Sequence, residues 1–349
     1  MMKFSLLDTI ASMFVIIVLS SGFFVGSVLA QEDSENGNEQ DQYSYAFKWG
    51  SNGTGDGQFM RPHGIDFDSQ GNVYVSDRDL NNIQKFTSDG QFITKWGQKG
   101  TEPGDMTDPY SNVLDNNDNV YEVDKANHRI QKFSSNGTFI QLYDKFNAPP
   151  GSNDTMGFPE AMAIDPSSGD VFVTDTGNNR TIKLDHNLNF VLDWGSYGTD
   201  PGEFDHPHGI GVDSEGNVYV NELNVARIQK FDNNGTFIKQ WGSEGTGDGE
   251  FTLGLEHLFV DSSDNVWQVD GEDNPRVQKF DSEGNFITSV GTGPCDIPDD
   301  VKNDREEMAD YDDCDGELSQ PEHANVDSSG NLYVVDRGNQ RIVVFTPDG

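Results

Sequence analysis

The chain has 349 residues, with 60 Asp and Glu against 22 Lys and Arg and a formal charge of −38. So acidic a surface repels phosphate backbones, which binding proteins meet with clusters of Lys and Arg, and this argues against nucleic acid as a partner. It leaves cations and basic partners open, and it suits an exported protein that stays soluble in salty surroundings.

Residues 1–30 read as a signal peptide. Lys3 precedes an apolar run from Ile10 to Phe24, and Val28-Leu29-Ala30 supplies small residues for cleavage before Gln31. A retained membrane anchor is the competing reading, but Ser20, Ser21 and Gly22 interrupt the run. The expectation is a secreted, extracellular or envelope protein with no membrane span after cleavage. Residues 31–42 are acidic and polar, and read as a flexible spacer.

From residue 43 to 349 the dominant signal is repetition. One unit runs Gly64-Ile65-Asp66-Phe67-Asp68, a turn at Ser69–Asn72, Val73-Tyr74-Val75-Ser76-Asp77, a polar loop, Ile83-Gln84-Lys85-Phe86, a turn at Ser88–Gly90, then Phe92-Ile93-Thr94-Lys95-Trp96-Gly97. These are four short strands rich in β-branched and aromatic residues, joined by turns whose glycines tolerate positive φ. The second strands align at Val73, Val120, Val171, Val218, Val266 and Leu332, with successive spacings of 47, 51, 47, 48 and 66 residues. Four-stranded units at this period predict an all-β, six-bladed β-propeller, in which stacked blades cover each other's faces.

The sixth unit ends at Phe345-Thr346-Pro347-Asp348-Gly349 without a fourth strand. Near the other end, Tyr45-Ala46-Phe47-Lys48-Trp49-Gly50 matches Phe92-Ile93-Thr94-Lys95-Trp96-Gly97 and has no strands before it. The N-terminal strand is therefore expected to complete the last blade, since an open ring would leave strand edges unpaired.

Two sets of residues recur at the face where first strands begin. An acidic residue ends each second strand (Asp77, Asp124, Asp175, Glu222, Asp270, Asp336), and an arginine follows in five units (Arg129, Arg180, Arg227, Arg276, Arg341). Repetition in every blade predicts a structural role, the carboxylate accepting backbone N–H bonds and pairing with the arginine. The residues that open the first strands differ between blades: His63, Tyr110, Glu160, His208, Glu256 and Glu322, with His257 and His323 just behind the last two. Imidazoles and carboxylates converging on the channel mouth would suit Zn²⁺ or another divalent ion, with His63, His208, Glu160, Glu322 and His323 as candidate ligands. Tyr110, Glu160, Glu256 and Glu322 are the candidate catalytic groups.

The insertion 291–319, between units five and six, carries Cys295 and Cys314, the chain's two cysteines, expected to pair as a structural disulfide in an oxidising compartment. Asp313, Asp315, Gly316 and Glu322 fall at calcium-loop positions, although Tyr311 stands where the first ligand would be. Asn52, Asn136, Asn153, Asn179 and Asn234 begin glycosylation sequons.

The stretches Asp165 to Phe190, Asp213 to Phe237 and Asp327 to Phe345, with Asp175-Thr176-Gly177-Asn178-Asn179-Arg180 and Asp336-Arg337-Gly338-Asn339-Gln340-Arg341 inside them, resemble NHL repeats. That resemblance covers essentially all of 43–349 and implies the propeller, while leaving activity open. At one point the chain is also similar to the peptidyl-α-hydroxyglycine α-amidating lyases, whose zinc ligands are histidines in Pro-His motifs. Pro62-His63-Gly64 and Pro207-His208-Gly209 match; Pro321-Glu322-His323 carries its histidine one residue late. Two functions follow as expectations. The first is a binding or scaffold module that takes a protein, peptide or glycan on its loop face. The alternative is a metal-dependent lyase or hydrolase at the channel mouth, similar to the amidating lyases.

Overall fold

The structure is a computed structural model in which residues 42–144, 155–271, 274–291 and 316–348 are described. It contains six antiparallel sheets of four strands. In blade one the strands run Pro62–Phe67, Val73–Asp77, Asn82–Phe86 and Phe92–Trp96. The first strands of successive blades neighbour one another in a closed cycle, the sixth (Pro321–Val326) returning to the first. Among the described residues no helix is long and apolar enough to cross a membrane.

Burial follows position in the blade. Every second strand is buried along its whole length, as Val171–Asp175 illustrates, because adjacent blades cover both of its faces. The fourth strands lie at the rim, and Phe92–Trp96, Phe190–Trp194 and Phe237–Trp241 alternate half-buried with exposed residues. The core is thus a set of inter-blade clusters. In one of them Phe59, Ile65, Val73, Val75 and Phe86 of blade one pack against Tyr333, Val335, Ile342 and Val344 of blade six.

The ring closes as the repeat predicts. Tyr43–Trp49 pairs antiparallel with Arg341–Pro347, from Tyr43 opposite Pro347 to Trp49 opposite Ile342, giving blade six its fourth strand. Ser44 Oγ donates to Asp348 Oδ1 at 2.7 Å, and the Asp348 N–H bonds the Gln42 carbonyl at 2.8 Å. Trp49 also reproduces a contact made by the other outer tryptophans. Each lies against the hairpin glycine of the following blade, Trp49 on Gly90 and Trp96 on Gly137. A Cβ at either glycine would sit 2.5 Å from the indole. Glycine is required there twice over, since φ is +81° at Gly90 and +84° at Gly137.

The repeated acid–arginine pairs are structural, as expected. Arg Nε meets the carboxylate at 2.7 Å in Asp124–Arg129 and Asp175–Arg180, 2.5 Å in Glu222–Arg227, 2.9 Å in Asp270–Arg276 and 2.6 Å in Asp336–Arg341. Blade one has Asn82 at the arginine position, and Asp77 instead accepts backbone N–H groups of Met60 at 2.8 Å and Leu80 at 3.0 Å.

Asp66 joins three blades. Its carboxylate accepts the Phe67 N–H at 2.8 Å, the Leu114 N–H of blade two at 2.6 Å and Asn325 Nδ2 of blade six at 2.8 Å. Burial pushes its pKa up to about 7, against the pull of the two backbone donors. Between the usual 3.8 and about 7 the folded chain therefore holds a proton that the unfolded chain has released, so this group's contribution to stability falls as pH rises through that window. Asp66→Asn removes the titration. Relative to wild type the variant should gain stability as pH rises from 4 to 8. Urea unfolding of both proteins at the two pH values measures this, and parallel pH profiles would refute it.

Candidate functional site

The first strands place one variable side chain per blade at the channel mouth. In blades one, two, four and six the opening proline pairs with the acidic end of the second strand: Pro62 with Asp77, Pro109 with Asp124, Pro207 with Glu222, Pro321 with Asp336. The register then slips, so His63, Tyr110, His208 and Glu322 fall in an irregular stretch rather than in the ladder. The glycine after each Pro-His has a packing reason. A Cβ on Gly64 would stand 2.4 Å from Asn112 Oδ1, and one on Gly209 would stand 2.4 Å from the Leu258 nitrogen. Neighbouring blades can approach this closely only at glycine, and the histidine before it is left facing the mouth. Glu160 and Glu256 reach the mouth ahead of the short strands Met162–Ile164 and Leu258–Val260, held by backbone bonds to Thr174 and Val269.

Two groups form there and share Glu256. In the first, ligand atoms of His63, Glu256 and Glu322 all lie within 4.8 Å of one another. His63 Nε2 is 3.0 Å from Glu322 Oε2, a close approach that is not aligned as a hydrogen bond. In the second, His208 Nε2 lies 3.4 Å from Glu160 Oε2, 3.8 Å from Glu256 Oε2 and 3.2 Å from the Tyr110 hydroxyl. Tyr110 connects the two, since its ring also packs on His63 with centroids 3.8 Å apart. His323 joins neither group. It lies one residue deeper and stacks on His257, ring centroids 3.2 Å apart, both rings buried and without hydrogen-bond partners.

Cations surround these groups. Lys125 Nζ bonds Glu160 Oε1 at 2.5 Å and lies 3.9 Å from the Tyr110 ring centre. Arg78 holds Asp108 through Nε at 2.5 Å and Nη2 at 3.0 Å, with its guanidinium 4.3 Å from the same ring. Arg337 Nε pairs with Glu322 Oε1. Sequence reasoning passed over these cations and Asp108. A signal for the cations was present, because the residue after the acidic strand end is the second position that varies between blades: Arg78, Lys125, Thr176, Leu223, Gly271 and Arg337.

The electrostatics separate the two carboxylates of the first group. Burial pushes Glu256 well above the usual carboxylate range, and the charge of Glu322 raises it further; a hydrogen bond to Glu322 keeps the proton on Glu256. Burial works against the ionised form of Glu322 too, but His63 and Arg337 outweigh it and hold this carboxyl below its usual range. Burial lowers His63 to about 4, so its ring is neutral at pH 7 with a lone pair to offer. Tyr110 is raised well above its ordinary value by burial and by Glu160, Glu256 and Glu322, and keeps its hydroxyl proton.

This donor set fits a divalent ion. Both nitrogens of the buried His63 lack a hydrogen-bond partner, and a neutral imidazole with two carboxylates is a nitrogen and oxygen set suited to Zn²⁺ or Mn²⁺. Cys295, Cys314, Tyr311, Asp313 and Asp315 lie outside the described residues, so the disulfide and the calcium loop stand as expectations.

Comparison with known proteins agrees with the repeat reading. The NHL repeat family matches residues 59–86, in blade one, and 318–345, in blade six. A 46-residue stretch is 48% identical to Protein lin-41 of Caenorhabditis elegans, covering 13% of this chain and 4% of that protein's length. Solved structures share the fold at low identity. A catalytically inactive virginiamycin B lyase from Staphylococcus aureus, solved with quinupristin, superposes with a TM-score of 0.56 at 14% identity, covering 87% of this chain and 84% of that one. A gluconolactonase from Xanthomonas campestris gives 0.58 at 14% identity, covering 84% and 88%. A protein of unknown function from Bacteroides thetaiotaomicron gives 0.61 at 17% identity, covering 88% and 76%.

Proposed function

We propose that this six-bladed propeller of NHL repeats is a metal-dependent lyase or hydrolase acting at the channel mouth, exported under the direction of its first thirty residues. The observation that carries this is the convergence of His63, Glu256 and Glu322 from blades one, five and six, with ligand atoms within 4.8 Å of one another. Buried polar atoms without partners are costly, and His63 would recover that cost by ligating an ion.

A divalent ion held by these three residues would supply Lewis acidity toward a substrate oxygen. The remaining roles fall to the chain. His208, flanked by Glu160, is placed to take a proton from a substrate bound beside Glu256 once the Tyr110 hydroxyl turns from its Nε2 toward the substrate. Tyr110 keeps its proton and can donate a hydrogen bond to developing negative charge. Lys125 and Arg78, stacked on the Tyr110 ring, hold that ring in place.

Purified protein dialysed against Mn²⁺ should retain about one ion per chain, in keeping with the single three-residue cluster among the described residues. His63→Ala/Glu256→Gln should retain essentially none, and a control, His186→Ala on an exposed turn, should match wild type. Equal and negligible metal in all three would remove the enzyme reading. A recognition module for a protein, peptide or glycan would then stand in its place, favoured by Met60, Phe158 and Leu253, which are exposed in the loops on this same face.

A further inference from the structure

We infer that the metal-loaded mouth takes a small carboxylate-bearing substrate whose anionic end faces blades six, one and two, an inference that rests on the metal site proposed above. The residue after each acidic strand end is a cation in those three consecutive blades (Arg337, Arg78 and Lys125) and uncharged in the other three (Thr176, Leu223 and Gly271). The mouth is therefore polarised across its diameter.

The cations are fixed in place. Their side chains are 10% exposed for Arg78, 16% for Lys125 and 19% for Arg337, and each is anchored by a carboxylate: Asp108, Glu160 and Glu322 respectively. Anchoring leaves donor capacity. Arg78 bonds Asp108 through Nε and Nη2, and its Nη1 makes no hydrogen bond among the described residues. Lys125 Nζ has three hydrogens, and Glu160 accepts one of them. The opposite half carries the uncharged Thr176, Leu223 and Gly271, of which Leu223 is partly buried and apolar. A carboxylate with a short aliphatic body would meet cations at one end and this uncharged half at the other.

Charge selects the class. Four carboxylates (Asp108, Glu160, Glu256, Glu322) stand against three cations, so once a bound ion displaces the proton that Glu256 otherwise keeps, the side chains of the mouth carry one net negative charge. One divalent ion reverses this to a single positive charge, within a chain whose total is −38. A monocarboxylate neutralises that charge, whereas a phosphate dianion would overshoot it. Metal and anion must then bind cooperatively, each tightening the other by the same factor.

The test is calorimetric titration of Mn²⁺ into the full chain, alone and with saturating butyrate or its neutral isostere butyramide, at matched ionic strength. Butyrate should tighten Mn²⁺ binding by at least about fivefold, the low end of ordinary coupling, while butyramide leaves it unchanged. Arg78→Gln should keep the Mn²⁺ stoichiometry and reduce the butyrate effect to below about twofold. If Mn²⁺ binds and the two additives act alike, or if Arg78→Gln keeps the full butyrate effect, this inference fails and the metal site stands. If no Mn²⁺ binds, both fail. The comparison of butyrate with butyramide on wild type needs no variant, so a misfolded Arg78→Gln would leave the inference testable.

Discussion

A chain shortened to begin after Gly50 should not reach the native ring. It would lack Tyr43–Trp49, leaving Arg341–Pro347 as an exposed edge with a row of unpaired backbone groups. Trp49 would vanish from its seat on Gly90, as would Phe47 from the cluster between blades six and one. The first and last described strands pair in this one blade, so their loss would leave the seam between blades six and one to side-chain packing and the Asp66–Asn325 bond, without strand pairing at the rim. The expected outcome is aggregation or a non-cooperative melt, seen by circular dichroism and size-exclusion chromatography. Appending residues 43–50 after Asp348 through a short Gly/Ser linker should restore the wild-type melt, because pairing geometry and not chain order is what the sheet requires. A shortened chain that melts cooperatively at the wild-type temperature would overturn this account.

Arg227→Ala is expected to cost about 3–5 kcal/mol, the range for removing one partner of a buried ion pair. The guanidinium does more than pair with Glu222. It donates to the carbonyls of Thr199 at 2.7 Å and Glu203 at 3.1 Å, fastening the loop between blades three and four. Glu222 is fully buried, so the substitution leaves its charge without an ionic partner, held only by the Asp205 N–H and Gln229 Nε2. Arg227→Lys should recover part of the loss, since an ammonium restores charge but cannot reproduce the guanidinium fork. Denaturant unfolding decides the matter: a loss under about 1 kcal/mol would mean that the pair behaves like an exposed one.

The fold was legible because propeller blades are written as local periodicity. Strand alternation, turn glycines and the Trp-Gly ends recur at nearly constant spacing, and Tyr45–Gly50 could be matched to Phe92–Gly97 by inspection. The acid–arginine pairs were legible for the same reason, since an interaction repeated in five blades must serve the blade itself. The mouth residues were found as departures from the repeat, which is why His63, Tyr110, Glu160, His208, Glu256 and Glu322 could be named. Their grouping could not. Spacing along the chain says that His63 and His208 stand three blades apart, and nothing in it says that Tyr110 lies between them, in contact with both.

What the amino-acid sequence determined alone is the number of blades, the closing strand and the six side chains that open the first strands, because each depends on contacts within a strand or between adjacent strands. Only the tertiary structure decided that Glu256 serves both groups, that His323 turns away to stack on His257, and that Arg78, Lys125 and Arg337 line one half of the opening. Those facts depend on distances across the axis between blades far apart in the chain, and on burial that keeps the proton on Glu256 while His63 and Arg337 hold Glu322 below its usual range.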